Sequence, residues 1–281
     1  GNLSQAMQGE MEWPQLFATS RRMNPMTLVF FRGFSASVFV VHQLAHFWAS
    51  RDEGFFYFIY VTHWTMILGT ISECLLFHLA SKGMQQMLPF PTARRVETPM
   101  LVRIELVLWH IVHPFSLLVK SLYWASWLLE NPLEDLQKIS YLDFYTHGFG
   151  QFWLLLSFLV SNVPFSMCTG FGWCVTYALV FIAWSLVHFF TKIGTPQPCE
   201  GYLQNECPIY SKFDWHKPQL TTIIALLVCL VACPVVCTFY ATLASRCRGS
   251  HDVQEGRENK TGTGDCEEPK VEEVTVDATA L

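Results

Sequence analysis

Six stretches of the chain are apolar over enough residues to cross a lipid bilayer, which takes about 20 residues in a helix. They cover residues 26–49, 54–79, 99–129, 140–164, 171–190 and 218–243. Apolar and polar residues do not alternate along them, as they do in the strands of a membrane barrel. Backbone groups in lipid need partners within their own segment, so each stretch is expected to be helical. The sequence therefore predicts an all-α polytopic membrane protein with six transmembrane helices.

The composition excludes several classes of protein. Hydrophobic residues make up 51% of the 281 residues and charged residues only 15%, whereas a soluble domain carries about 25% charged residues. The polar surface of an ordinary soluble enzyme or of a disordered chain is therefore missing. The formal net charge of -5 also excludes a basic protein that binds nucleic acid. We expect membrane lipids, not nucleic acid, to be the partners of this chain.

Lysine and arginine residues near the helix ends predict the orientation, because they favour the cytoplasmic side. With a cytoplasmic N-terminus, more of them lie inside than outside. We therefore expect a cytoplasmic segment 1–25, a transmembrane domain 26–245 in the plasma membrane or an endomembrane, and a cytoplasmic tail 246–281. The tail is polar and lacks aromatic residues, which predicts disorder. The inner residues are Arg21, Arg22, Lys82, Arg94, Arg95, Arg103, Arg246 and Arg248, and the outer ones are Arg51, Lys138, Lys192, Lys212 and Lys217.

Two of the ten cysteines lie in the long loop before the last apolar stretch. This loop falls on the predicted extracellular or lumenal side, where disulfides persist. We therefore predict a disulfide between Cys199 and Cys207. Two unpaired thiols in the loop are the alternative.

Ionisable side chains inside a membrane are costly, so they usually face the bundle interior or a cavity and often mark a function. In the six-helix arrangement they form two groups at different depths. The outer group holds Thr62, His63, His147 and His188, with His46 near them, and the inner group holds Glu73, Glu105 and His110. Other histidine, lysine and amide side chains of the spans are His42, His78, His113, Lys120, Gln43, Gln151 and Asn162.

One interpretation of the outer group is nucleophilic hydrolysis. A threonine hydroxyl is a poor nucleophile at neutral pH and requires a nearby base such as histidine. Thr62 and His147 suit these two roles, at a depth where the outer leaflet delivers lipid esters. This interpretation makes a lipid ester the possible substrate and requires no cofactor.

Two other interpretations of the polar residues stay open. His42 and His46 share a helix face, as do His110 and His113, and histidines from facing helices bind haem in some membrane cytochromes. Such a haem or metal site is the second alternative. The third is structural, with polar side chains that form hydrogen bonds between helices.

Several short motifs resemble one family, the rolling stone proteins and their relatives, the androgen-induced and androgen-dependent TFPI-regulating proteins. The loop at 209–218 (IYSKFDWHKP) resembles the family's pattern of Asp-Trp, a basic residue and Pro. Residues 60–64 (YVTHW) are similar to its second-helix entry, 113–115 (HPF) to its third helix, and 143–148 (DFYTHG) to its fourth. The resemblance spans the membrane core, from about residue 26 to 245, and implies six membrane helices.

The two branches of this family imply different functions. Rolling stone itself is associated with myoblast fusion and implies a membrane or scaffold role without established catalysis. The androgen-induced branch implies hydrolysis of fatty acid esters of hydroxy fatty acids by a threonine nucleophile, which corresponds to Thr62. Its catalytic histidine falls at the position of Gly150. His147 lies three residues earlier, about 4.5 Å away along a helix axis, and this departure argues against hydrolysis.

Overall fold

The structure is a computed structural model that describes residues 12–20, 22–87, 100–130, 139–196, 199, 201–210 and 213–258. The described residues are mainly helical, and their only β-pairing is an isolated bridge between Tyr210 and Phe213. The chain divides into two compact units, Gly1–Ala244 and Ser245–Leu281. Within the second unit the backbone is helical as far as Glu258. Residues 259–281 of the tail lie outside the described residues, and disorder of the tail stays a prediction.

Five helical segments are long and apolar enough to cross a membrane, which makes the chain an all-α polytopic membrane protein. After a short helix α1 (Trp13–Ala18) come α2 (Pro25–Ala49), α3 (Val61–Met87) and α4 (Met100–Glu130). The fourth of the five is α7 (Met167–Thr191). The fifth joins α8 (Pro218–Leu227), a π-helical turn Val228–Ala232 and the first part of α9 (Cys233–Glu258).

The stretch predicted at 140–164 is helical over 141–160, but not as one regular helix. It consists of α5 (Tyr141–Phe144), a π-helical turn Tyr145–Phe149 and α6 (Gly150–Val160). The Ser140 side chain accepts a hydrogen bond from the Asp143 backbone N–H and so caps the start. A π-helical turn inserts one residue into a helix and is frequent at functional sites.

The boundaries predicted for the second stretch, 54–79, are wrong at both ends. A 3-10 segment, Arg51–Ile59, precedes α3, which begins at Val61 and continues to Met87. Gly54 takes a positive φ of 56° inside that segment, and Tyr60 is extended. Neither conformation belongs to a right-handed helix, so the apolar residues 55–59 form a 3-10 turn that is separate from α3.

Local sequence explains where the long helices begin. The Asn24 side chain accepts a hydrogen bond from the Thr27 N–H at 2.8 Å, and Pro25 follows in the first helical position. Ser166 caps α7 in the same way, through the N–H of Thr169. Such caps satisfy backbone donors that a helix leaves unpaired at its start.

Two large apolar cores and a smaller one hold the first unit together. One packs α1 against α3, α4, α6 and α9, and its aromatic members include Trp13, Trp109, Phe158 and Tyr240. The other lies between α4, α7 and the α8–α9 segment and contains four cysteines: Cys174, Cys229, Cys233 and Cys237. The smaller core joins α2, α4 and α6 through Phe39, Val112 and Leu154.

Candidate functional site

A small pocket of about 20 Å³ lies between α2, α3, α4 and the 141–160 segment. Hydroxyl, imidazole, amide and ammonium groups line it together with three apolar side chains. Polar groups at membrane depth are tolerated where they face a cavity or one another, and they mark functional sites. This pocket is therefore the candidate functional site. Its lining residues are Phe39, His42, Gln43, Thr65, Met66, Thr70, Ser116, Lys120, Tyr145, Thr146, Gly150 and Leu154.

Lys120 supplies the basic amino group of the pocket. Its side chain is 5% exposed, and no carboxylate of a described residue lies within ion-pair distance of its Nζ. Ser116 stands one turn earlier on the same face of α4 and lines the pocket beside it. An apolar medium disfavours an isolated charge, so a buried lysine without an acidic partner favours the neutral amine. An anionic group in the pocket would stabilise the protonated form.

His42 and Thr146 form a pair on opposite walls of the pocket. His42 Nε2 lies 3.3 Å from Thr146 Oγ1, within hydrogen-bond distance. The Tyr145 ring stacks on the imidazole of His42 with ring centroids 3.6 Å apart. Tyr145 and Thr146 both belong to the π-helical turn. This turn therefore places the hydroxyl against the imidazole and supports the ring from one side.

The two residues predicted as a catalytic pair, Thr62 and His147, lie outside the pocket. Thr62 is buried, and its carbonyl accepts a hydrogen bond from Thr65 Oγ1 at 2.8 Å. The His147 ring stacks on Tyr123 with centroids 3.4 Å apart, and its Nδ1 has no hydrogen-bond partner among the described residues. The described contacts include no hydrogen bond between Thr62 and His147.

Gly150, which the resemblance noted above would place at a catalytic histidine, does line the pocket. A Cβ atom built on Gly150 would lie 3.5 Å from Lys120 Nζ and 3.0 Å from the carbonyl oxygen of Tyr145. A side chain at this position would therefore project toward the ammonium of Lys120. In this chain Lys120 is therefore the basic side chain closest to the position of Gly150 among the contacts within 4 Å of its Cβ site.

A group of rings borders the pocket toward the start of α3. His63 stacks on Tyr57 at 4.0 Å and contacts His46 at 4.9 Å between ring centroids. Gln43 donates a hydrogen bond from Nε2 to the Tyr57 hydroxyl at 2.8 Å. Among the described residues, no three or more His, Cys, Asp or Glu side chains are arranged to hold a metal ion.

The second pair considered for haem or metal binding, His110 and His113, is divided between two environments. His110 uses both nitrogens: Nδ1 bonds the Leu106 carbonyl at 2.7 Å, and Nε2 accepts from the Ser166 N–H at 3.2 Å. His113 is fully buried, and neither of its nitrogens has a hydrogen-bond partner of normal geometry among the residues that the structure describes. The pair therefore does not present two ligands to one position.

The loop before α8 is built around a disulfide and a buried aspartate. Cys199 and Cys207 are joined, with Cα atoms 5.8 Å apart. His216 Nδ1 and the Tyr202 hydroxyl contact the two carboxylate oxygens of Asp214 at 2.8 and 2.9 Å. Burial alone would raise the pKa of Asp214, but the hydrogen bonds from His216 and Tyr202 outweigh burial and hold it below its ordinary value.

His188, which the sequence assigns to the outer group, lies in the last turn of α7, where it contacts this loop and does not line the pocket. Its Nε2 contacts the Gly194 carbonyl oxygen at 2.7 Å. Trp215 nearby donates a hydrogen bond to Ser185 Oγ at 2.9 Å. These contacts attach the loop to the end of α7.

Comparison of the chain with protein-family models, with curated proteins and with solved structures finds no match.

Several pocket residues escape sequence reasoning. Lys120 is recognisable as an ionisable residue in a span, but nothing in the sequence assigns it to the site. Thr65 and Thr146 resemble ordinary helix residues, and Tyr145 an ordinary aromatic. The available signal is the spacing of Ser116 and Lys120, which share a face one turn apart.

Proposed function

We propose that the chain is a membrane protein of the rolling stone type that crosses the bilayer six times, with both termini in the cytoplasm. Residues 141–160 are the additional crossing. At 1.5 Å per residue they are about 30 Å long, which equals the thickness of the hydrocarbon core of about 30 Å. The excess of Lys and Arg on the inner side supports the orientation.

A protease site inserted at Gly201 tests this topology. Gly201 is exposed in the disulfide loop, where a Cβ would meet open space. In sealed vesicles with the cytoplasmic face outward, the site is expected to resist protease until detergent is added. Cleavage in intact vesicles would contradict the proposed orientation.

We further propose that the pocket binds the carboxylate of an acyl lipid. The observation that carries this proposal is the buried amino group of Lys120, which lines the pocket without an acidic partner among the described residues. A carboxylate there would pair with the protonated form of Lys120 and could accept a hydrogen bond from the Ser116 hydroxyl in the wall. Charge-assisted hydrogen bonds of this kind are about twice as strong as neutral ones.

Binding without turnover agrees with the role that the rolling stone branch implies. Such a role in the membrane, whether in fusion or as a scaffold, needs recognition of a lipid but no reaction. The apolar side chains Phe39, Met66 and Leu154 would contact the first methylene groups of the acyl chain. The plasma membrane and endomembranes both supply such lipids.

Photo-crosslinking with a diazirine fatty acid tests the binding. In membranes, the parent protein is expected to be labelled, and the free acid should compete better than its methyl ester. Lys120→Met should lower the labelling about tenfold, the equivalent of 1.4 kcal/mol. Lys217→Met is the matched control, because Lys217 is 66% exposed and lies in the loop. Equal competition by acid and ester would contradict recognition of a carboxylate.

A second candidate function is hydrolysis of a fatty-acid ester, and the hydrogen bond between His42 and Thr146 favours it. In this reaction Thr146 Oγ attacks the ester carbonyl while His42 Nε2 takes up the hydroxyl proton. The ammonium of Lys120 would stabilise the oxyanion. His42 then gives the proton to the departing alcohol, and water hydrolyses the acyl-threonine to return the free hydroxyl. Thr62 has no role in this scheme.

A further inference from the structure

A group of ionisable side chains is buried in the bundle, apart from the pocket that contains Lys120. It consists of Arg32 from α2, Glu73 from α3 and Glu105 from α4, which we call the acid triad. Their exposed fractions are 2%, 0% and 0%. Three fully buried ionisable groups are stable only when opposite charges are paired and their polar atoms have hydrogen-bond partners.

Glu73 is fully satisfied within the triad. Its two carboxylate oxygens accept hydrogen bonds from Ser35 Oγ and Ser157 Oγ, each at 2.6 Å. Arg32 Nη1 lies 3.9 Å from Glu73 Oε2, and Arg32 also donates to Ser157. The guanidinium and the Glu73 carboxylate therefore form one neutral ion pair.

Glu105 is in a different situation. Ser72 Oγ donates a hydrogen bond to its Oε1 at 2.7 Å, but its Oε2 is buried and has no partner among the described residues. One and two turns further along α4, the Trp109 ring nitrogen and both nitrogens of His113 are also buried without partners. Within the part of the chain that the structure describes, Arg32 is the only cationic side chain that acts on Glu105.

The balance of charge decides the state of Glu105. The charged side chains that act on it are Arg32 and Glu73, from α2 and α3, and they neutralise each other. An ionised Glu105 would leave the triad with a net charge of about −1 in a medium that disfavours isolated charge. We propose that Glu105 is a proton-binding site in the membrane core, with the proton on Oε2, the oxygen that has no other partner.

Infrared spectroscopy of the parent protein tests this proposal directly. A protonated carboxylic acid has a carbonyl stretch at higher frequency than any carboxylate band, and the band shifts down when the proton exchanges for deuterium. The parent is expected to show this band, and Glu105→Gln should abolish it. Glu206→Gln is the matched control, since Glu206 is a partly exposed loop residue paired with Lys192, and it should leave the band unchanged.

A stability comparison provides a second readout. Glutamine has the shape of a protonated glutamic acid, so Glu105→Gln is expected to melt near the parent. Glu73→Gln removes the charge that neutralises Arg32 and should lower the melting temperature clearly. Absence of the acid band in the folded parent, or its persistence in Glu105→Gln, would overturn the proposal. So would the reverse order of stability of the two glutamine variants.

Discussion

His42 Nε2 lies 3.3 Å from Thr146 Oγ1, although the two residues are 104 positions apart in the chain. The pair lines the same pocket as Lys120. Thr62 and His147, the pair suggested by the sequence, have other neighbours. The sequence therefore suggests Thr62 as the nucleophile, whereas the structure suggests Thr146. Mutation can separate these two assignments.

Hydrolysis of a branched fatty-acid ester separates the two threonines. If the pocket is catalytic, Thr146→Val should lower the rate by about 10²–10⁴, as expected for loss of a positioned nucleophile and base. Thr62→Ala should leave most of the activity. The measurement is the initial rate of ester hydrolysis in membranes that contain equal amounts of folded protein. Loss of activity in Thr62→Ala alone would restore the sequence-based pair, and no activity in the parent would leave lipid binding as the function.

Gly150→His introduces into the pocket the histidine that the resemblance to the androgen-induced branch implies. Its Cβ would lie 3.5 Å from Lys120 Nζ and 3.0 Å from the Tyr145 carbonyl oxygen, so the π-helical turn must yield slightly. We expect the variant to create or raise ester hydrolysis. Gly150→Ala serves as the control, because it imposes the same steric contact without an imidazole. Equal rates in the two folded variants would argue against a shared catalytic geometry.

Gly83 allows α1 to pack against α3. A Cβ at Gly83 would lie 2.6 Å from the Pro14 carbonyl oxygen and 3.0 Å from the Ala18 Cβ. Gly83→Ala is therefore expected to destabilise the protein by about 1–3 kcal/mol, the usual effect of overpacking. Thermal unfolding in detergent measures the effect.

The control for Gly83 is Gly172, a helical glycine of α7 with open space around its Cβ position. Gly172→Ala should be neutral or slightly stabilising, because alanine favours a helix over glycine by about 1 kcal/mol. An equal effect of both substitutions would show that α1 does not pack closely on α3.

Asp214 is expected to make the loop sensitive to acid. Its pKa is lowered in the folded loop by hydrogen bonds from His216 and Tyr202, which outweigh the opposite effect of burial. The folded state therefore binds fewer protons than the unfolded state. The stabilisation is complete above the unfolded pKa of about 3.9 and is lost as the pH falls through the lower folded pKa.

Thermal unfolding between neutral and strongly acidic pH measures this dependence. Asp214→Asn should lower the stability at neutral pH and flatten its decline in acid. Asp52→Asn is the control, because the Asp52 side chain is 93% exposed. An unchanged acid profile in Asp214→Asn would assign the decline to other carboxylates.

The membrane character of this protein follows from the sequence alone. Apolar stretches long enough to cross a bilayer require helices, because no water is present to satisfy the backbone. This argument predicts the helices at Pro25–Ala49 and Met100–Glu130 nearly to the residue. It fails at 54–79, since apolar content does not reveal the positive φ of Gly54 or the extended Tyr60, which separates residues 55–59 from α3.

The membership of the site was decided only by the tertiary structure. Spacing along one helix identifies neighbours on a face, such as Ser116 and Lys120, but it does not show which face meets which helix. The π-helical turn at Tyr145–Phe149 departs from the regular helical rotation. It contains Thr146 and holds its hydroxyl within hydrogen-bond distance of His42. Contacts between residues distant in the chain depend on helix packing and rotation, which hydropathy and short motifs do not encode.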